Sequence, residues 1–408
     1  MKKLYALLII LLFTLLGCST LKLNKDLKKL NNLISIKGDV RLNFTSKSPI
    51  MISLFKTSGT YLESIEYIHK HKEGKFEFFV KTGKYKIYAW EDKNKNGDFE
   101  RDEPITQCSI TVKNQNDTQA YCTLLISEKA NKQKLVEIHN IRHKIIDKLE
   151  KSHNIDTIIN LDSDTFSELN ASKGLWEPYT FTQEVPAGLF LLSKYDPNKE
   201  VVLFVHGING TPQNFTHIIK NINPKTHQVL LFYYPSGLKI NEVAYYMDYL
   251  LQEFQIKHEL KDISIIAHSM GGLLSKEYIN IQRKHGRLHI KNLITISTPW
   301  SGHKGAAFGL KYAPDVIPVW NDMAPKSQFL EKLFDVEYKK PLKHALLFGY
   351  KGSNLLVNEN SDGVVTIDSQ LRLEVQKRAS TVRGFNEDHM SILKNRELVE
   401  LINDLLEN

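Results

Sequence analysis

One serine in this chain has the surroundings of a nucleophile. The run Ile263-Ser264-Ile265-Ile266-Ala267-His268-Ser269-Met270-Gly271-Gly272-Leu273 sets Ser269 between a continuous apolar stretch, read as a buried strand, and a helix-like segment. Ala267 and Gly271 stand two residues to either side. A strand-to-helix turn that tight admits only small neighbours, and it lifts the hydroxyl clear of the sheet with the following N–H aimed at an oxygen that gains charge. Such a serine can attack an acyl carbon if a base takes its proton and a carboxylate fixes the base. Downstream, Asn360-Ser361-Asp362-Gly363-Val364-Val365 supplies Asp362, followed by a glycine that permits a sharp turn. The stretch Gly384-Phe385-Asn386-Glu387-Asp388-His389 supplies His389, the only histidine beyond Asp362. Asp368 and Asp388 are rival carboxylates, the first inside a polar run and the second too near the histidine in sequence to meet its ring squarely.

A second loop belongs with these residues. Val201-Val202-Leu203-Phe204-Val205-His206-Gly207-Ile208-Asn209-Gly210 ends another apolar strand in His-Gly. From about Trp176 to the end, the chain resembles α/β-hydrolases of the lipase and esterase type: a nucleophile elbow with Ala267 in place of the first glycine, a His-Gly oxyanion loop, an Asp-Gly-Val-Val acid loop, and Ser-Thr-Pro-Trp-Ser-Gly at 297–302. The resemblance implies the chain order Ser269, Asp362, His389, an oxyanion hole built from the backbone N–H groups of Ile208 and Met270, and no required cofactor. It also implies an ester substrate with an apolar acyl group. His206 and His268 are read as structural hydrogen-bonders. Between the Thr-Pro segment and Asp362 lie Phe308, Tyr312, Trp320, Met323, Phe329, Leu330 and Phe334, either a cap over an acyl pocket or ordinary packing of an insertion.

The elements that must position these groups follow from apolar period. Strand-like runs at Val201 to Val205, Val229 to Tyr233, Ile263 to Ala267, Leu293 to Ile296 and Ala345 to Phe348 alternate with amphipathic stretches such as Glu242 to Phe254 and Leu273 to Gln282. That alternation predicts an α/β fold, a mainly parallel sheet with helices on both faces, over 176–408. Residues 34–126 show a period of two (Val40, Leu42, Phe44; Phe76, Phe78, Val80; Tyr85, Ile87, Ala89) and predict a small all-β sandwich, with Lys81 to Lys84 as a hairpin turn. Residues 127–175 are assigned as a helical connector and 18–33 as a Lys-rich tether, suited to anionic headgroups or a plain solvated linker.

At the start, Lys2 and Lys3 precede the apolar run Leu4 to Leu16, which ends in Leu15-Leu16-Gly17-Cys18. This is the layout of a secretory signal over 1–17, and it resembles the lipobox of bacterial lipoproteins, implying acylation of Cys18 and a lipid-anchored place in the cell envelope, at the outer membrane or periplasm of a Gram-negative source. Cys108 and Cys122 bracket a polar turn at 114–117 and are expected to bridge as opposite neighbours on antiparallel strands. Asp92, Asn94, Asn96 and Glu103 fit the D-x-[DN]-x-[DN]-G-x5-E calcium pattern, open between a structural Ca²⁺ loop and an Asx-rich turn that needs no metal. The charge of +8 over 408 residues, from 54 Lys+Arg against 46 Asp+Glu, is too mixed to argue for nucleic acid, and composition excludes disordered and polytopic membrane classes. The reading is a lipid-anchored envelope serine hydrolase of carboxylic esters. Its alternatives are an acyltransferase using the same triad and a non-catalytic adhesion or scaffold lipoprotein; the sequence names no protein partner for the β-module. Cys18→Ser should leave an unlipidated chain with its signal uncut, and mass spectrometry finding wild-type protein without acyl groups would defeat the assignment.

Overall fold

The computed structural model describes residues 19–29, 32–58, 61–95, 99–100, 102–113, 120–128, 154–285, 288–335, 342–352 and 360–407. The chain divides into two compact units, one of residues 155–248 and 260–408 with the stretch up to 27, the other of residues 28–154 with 249–259.

The second unit is a sandwich of two sheets. One has the order β4-β1-β7 and the other β3-β2-β5-β6, from β1 (Ile34–Leu42), β2 (Ile50–Ser58), β3 (Tyr61–Lys70), β4 (Gly74–Val80), β5 (Gly83–Glu91), β6 (Ile105–Val112) and β7 (Ala120–Ile126). Alternate residues point inward as the period of two requires: Phe76, Phe78 and Val80 from one sheet meet Ile52, Leu54 and Ile87 from the other in a single apolar core. Two expectations need correction. Lys81 to Lys84 is no hairpin, because β4 pairs with β1 while β5 pairs with β2 and β6; the short link is a corner that carries the chain across the sandwich. Cys108 and Cys122 are bonded, with Cα atoms 6.4 Å apart, but not as cross-strand neighbours. β6 runs antiparallel to β5 and β7 runs parallel to β1, so the bridge staples one sheet to the other through the core.

The first unit is built on an eight-stranded sheet of order β15-β14-β13-β12-β10-β11-β9-β8. Its strands are β8 (Asn154–Ile158), β9 (Gly188–Leu191), β10 (Glu200–Val205), β11 (His227–Tyr233), β12 (Asp262–His268), β13 (His289–Ile296), β14 (Lys343–Gly349) and β15 (Thr381–Phe385). The six strands from β10 to β15 are parallel and β9 is antiparallel to β11. β10 and β12 are buried along nearly their whole length, as strands covered on both faces must be. The chain leaves β10 for β11 on one side, then returns to β12 on the other. The direction of winding therefore reverses at β10, and the crevice beyond the carboxyl ends of β10 and β12 is where such sheets hold ligands.

Residues 155–175 were expected in the connector but belong to this sheet unit. β8 lies at its edge beside β9, and Phe166 is fully buried edge-on against Phe190 and Tyr233. The remainder of the expected connector helix, 129–153, lies outside the described residues. The tether region differs as well: residues 19–29 are helical, Leu23 is buried, and the Asp26 carboxylate accepts the N–H groups of Tyr179 and Thr180 at the start of the helix Pro178–Glu184. That is the acceptor an uncapped helix start needs. Among the described residues no helix is long and apolar enough to cross a membrane.

Replacing both Cys108 and Cys122 by serine should lower the sandwich's stability by about 3 kcal/mol, the chain-entropy value for a loop of about 15 residues. Thermal unfolding of the double variant beside wild type reads this directly, and equal melting temperatures would show that the staple contributes nothing.

Candidate active site

Ser269 is the residue between β12 and the helix Met270–His285, and its φ of 55° puts it in the left-handed region. The strain is held by backbone bonds: Ser269 N–H donates to Ile296 O at 2.8 Å, and Gly272 N–H donates to Ser269 O at 3.0 Å. The elbow also presses against β10. A Cβ on Gly271 would overlap the carbonyl oxygens of Val205 and His206, and one on Gly207 would stand 2.8 Å from the Ser269 Cβ. These two glycines bring the loop after β10 onto the serine. Met270 opens its helix, where the first N–H groups have no acceptor within the helix. Asn209, at φ 53°, turns the loop, with Gly210 N–H donating to Gly207 O at 3.1 Å.

His389 and Asp362 stand on loops after β15 and β14. His389 and Asp362 are both buried, and His389 Nδ1–H donates to Asp362 Oδ2 at 2.7 Å. The main chains are tied too, His389 N–H donating to Asp362 O at 2.9 Å. Gly363, at φ 91°, makes the turn that lets the N–H groups of Val364 and Val365 reach Asp362 Oδ1 at 3.0 and 2.7 Å. Burial pushes the Asp362 carboxyl up, but the His389 hydrogen bond and charge, with those two N–H groups, outweigh it and hold the group below the ordinary carboxylate range. The rivals are placed elsewhere. Asp368 is exposed on the helix Ile367–Gln370, and Asp388 Oδ1 is occupied by the N–H groups of Met390 and Ser391. With Nδ1 committed to Asp362, Nε2 of His389 carries the free lone pair. His268, one residue before the serine, donates from Nε2 to His389 O at 2.9 Å with the two rings 4.6 Å apart, so His389 is tied to the elbow.

Residues 236–406 match the family model of the PGAP1-like alpha/beta domain. That stretch holds Ser269, Asp362 and His389 as well as strands β12 to β15. This unit has the α/β-hydrolase fold. Among solved structures the chain is similar to the mature Bacillus licheniformis lipase BlEst2, at 17% identity over 53% of this chain and 97% of that one with a TM-score of 0.44. It is also similar to Aspergillus fumigatus lipase B, at 13% identity over 54% and 56% of the two chains with a TM-score of 0.38. A third is phospholipase PlaB from Legionella pneumophila, at 16% identity over 42% and 45% with a TM-score of 0.37. No curated protein matches the sequence.

Several residues that steady the hydrolase domain's site carry no local sequence signal. Tyr234 O–H donates to His206 O at 2.5 Å and its ring stacks on His206 with centroids 4.2 Å apart. Ser236 Oγ accepts Asn209 N–H at 3.0 Å, and His303 Nε2–H donates to Val364 O at 3.0 Å beside the acid. Of the inserted aromatic and apolar residues, Met323 and Leu330 are buried, Trp320 packs on Gly309 and Trp176, and Phe308 and Tyr312 are exposed against each other. In the calcium-like loop Glu103 is buried and takes the N–H groups of Lys93 and Glu100 at 2.8 and 2.9 Å, which closes the loop with protein donors. Asp92 is buried beside it and Asn94 is described, while Asn96, like Cys18, lies outside the described residues. Among the described residues no three His, Cys, Asp or Glu side chains gather as metal ligands.

Three buried histidines of the α/β unit have their pKa values lowered by burial. Burial holds His206 down to about 4 and His268 and His344 down to about 3, against an unfolded value of about 6.5. Below pH 6.5 the unfolded chain binds protons that the folded chain refuses, so stability falls as pH falls, by up to about 1.4 kcal/mol per pH unit for each such histidine until its folded value is reached. Guanidinium unfolding at pH 7.5, 5.5 and 4.5 should show this slope, and His344→Phe should reduce it. A slope unchanged in that variant would mean His344 titrates normally.

Proposed function

We propose that this chain is a serine hydrolase of carboxylic esters with apolar acyl groups, anchored in a bacterial cell envelope through an acylated Cys18. The observation that carries the reading is the buried 2.7 Å contact of His389 Nδ1 with Asp362 Oδ2, held by His268 against the strained elbow of Ser269. In this reading Ser269 Oγ attacks the acyl carbonyl as His389 Nε2 takes its proton. Asp362 keeps the proton on Nδ1 and stabilises the imidazolium. The carbonyl oxygen becomes an oxyanion between the N–H groups of Ile208 and Met270. His389 returns its proton to the leaving alkoxide, releasing an alcohol and leaving the acyl group on Ser269. Water, deprotonated by His389, then attacks the acyl carbon, the bond to Ser269 Oγ breaks as His389 returns the proton to that oxygen, and the carboxylic acid leaves. The scheme uses no metal or redox group.

A panel of p-nitrophenyl esters from acetate to palmitate tests this. Wild type should turn over at least one chain length, and Ser269→Ala should abolish turnover. Asp362→Asn should lower kcat by on the order of 10⁴ with modest change in KM. Because the three side chains act as one unit, the double variant should be no worse than Ser269→Ala. A wild type that neither turns over any of these esters nor takes up a fluorophosphonate at Ser269 would overturn the reading; a dead Asp368→Asn beside a working Asp362→Asn would move the acid.

A further inference from the structure

The hydrolase domain contains a cavity of about 420 Å³ against β13 and β14 that Ser269, Asp362 and His389 do not line. Its volume lies at the lower end of the range typical of small-molecule sites. The walls combine two chemistries. Trp300, Phe334 and Val375 make it apolar, while Lys276, Lys377 and Arg378 bring positive charge. Among the described residues the one acidic side chain lining it, Glu374, is matched by Arg372, whose Nε lies 3.1 Å from the Glu374 carboxylate and whose guanidinium stacks 4.1 Å above the Phe334 ring. The charge the cavity offers is therefore positive.

Two groups at this cavity are placed for an acceptor. Lys276 is buried in the helix Met270–His285, its Nζ donating to Asn280 Oδ1 at 2.7 Å and Leu333 O at 3.1 Å and lying 5.7 Å from the centre of the Phe334 ring. Trp300 is fully buried, and its indole N–H has no acceptor among the described residues. A buried donor left in that state is costly, and a ligand oxygen would relieve it. Burial, with Arg378 beside it, pushes Lys276 down to about 7, a penalty that a bound negative charge would offset.

We propose that this cavity binds an amphiphile with one anionic head and a single medium-length apolar chain, of which a fatty carboxylate is the simplest. The head meets Lys276 and Arg378, and the chain lies along Trp300, Phe334 and Val375. The site is separate from the Ser269 centre, so it stands or falls independently of ester hydrolysis by this chain. Isothermal titration of the full chain with decanoate, decanol and acetate tests it, on wild type, Lys276→Met and the exposed-residue variant Arg378→Gln. Decanoate should bind wild type, with decanol and acetate at least tenfold weaker, and each variant that keeps the wild-type melting curve should bind decanoate at least tenfold more weakly. Fluorophosphonate labelling of Ser269 should be the same in Arg378→Gln as in wild type. Absence of decanoate binding up to millimolar, decanol binding as tightly as decanoate, or an affinity untouched by Arg378→Gln would each overturn the site. The last of these would also locate decanoate elsewhere on the chain.

Discussion

The site depends on a close approach of backbone to backbone at the carboxyl end of the central strands. A serine at φ 55° is unfavourable by about 1–3 kcal/mol in isolation. It persists because the sheet over-determines it: Ile296 O takes its N–H, the Met270–His285 helix starts on the next residue, and the carbonyls of β10 leave room for nothing larger than a hydrogen at Gly271. Gly207 answers from the other side, where the loop after β10 lies against Ser269. A small residue at 207, 267 and 271 is thus one requirement expressed three times. It also explains why alanine serves at position 267, which is fully buried on β12 while the tightest contacts fall on the two glycines.

Around that fixed point the polar groups are arranged so that each holds the next. Asp362 orients His389, His268 holds the His389 carbonyl, and Tyr234 holds the His206 carbonyl above the oxyanion loop. Burial lowers the pKa of His206 to about 4 and of His268 to about 3, so neither is favoured to take up a proton. The histidine with a carboxylate partner is the one equipped to accept a proton. Environment, not residue type, separates His389, with its carboxylate partner, from His206 and His268, which have none.

How much of this is legible in the sequence follows from how local each feature is. The elbow, the Asp-Gly turn and the His-Gly loop are short-range conformational demands, so glycine and small residues mark them within a few positions. β10 to β14 are equally plain, since strands buried on both faces read as unbroken apolar runs. Partners far apart in the chain leave no such mark. Ser236 and Asn209 are joined only in the fold, and Asp26 caps a helix more than 150 positions away. Residues 19–29 accordingly read as a polar tether although Leu23 is buried. In the sandwich, alternation gives the inward face of each strand but not its neighbour. A link of two residues at 81–82 serves a hairpin or a corner equally, and the pairing of β5 with β2 and β6 decides for the corner. The cysteines show the same ambiguity, since residues placed symmetrically about a turn can meet across a sheet or between sheets.

The segment after β13 shows why the acid stays in place although it sits on a loop. Ser301 N–H donates to Ser369 O at 3.2 Å, Ser369 O–H donates to Gly302 O at 2.6 Å, and His303 donates to Val364 O at 3.0 Å. Gln370, itself buried, adds bonds from its amide to Val365 O and Gly349 O, each at 3.1 Å. The Asp362 loop is therefore stitched to the Thr-Pro segment on one side and to the end of β14 on the other. A carboxylate on a free loop would lose its geometry to chain entropy, which costs on the order of 1–2 kcal/mol per residue to restrain. Here the restraint is supplied by hydrogen bonds formed on folding, so a substrate need not supply it when it binds. Trp300 lies in the same segment, between the residues that hold the acid loop and the wall of the cationic cavity. The motif at 297–302 thus has two faces, one tied to the Asp362 loop and the other placing the buried Trp300 ring against the cavity.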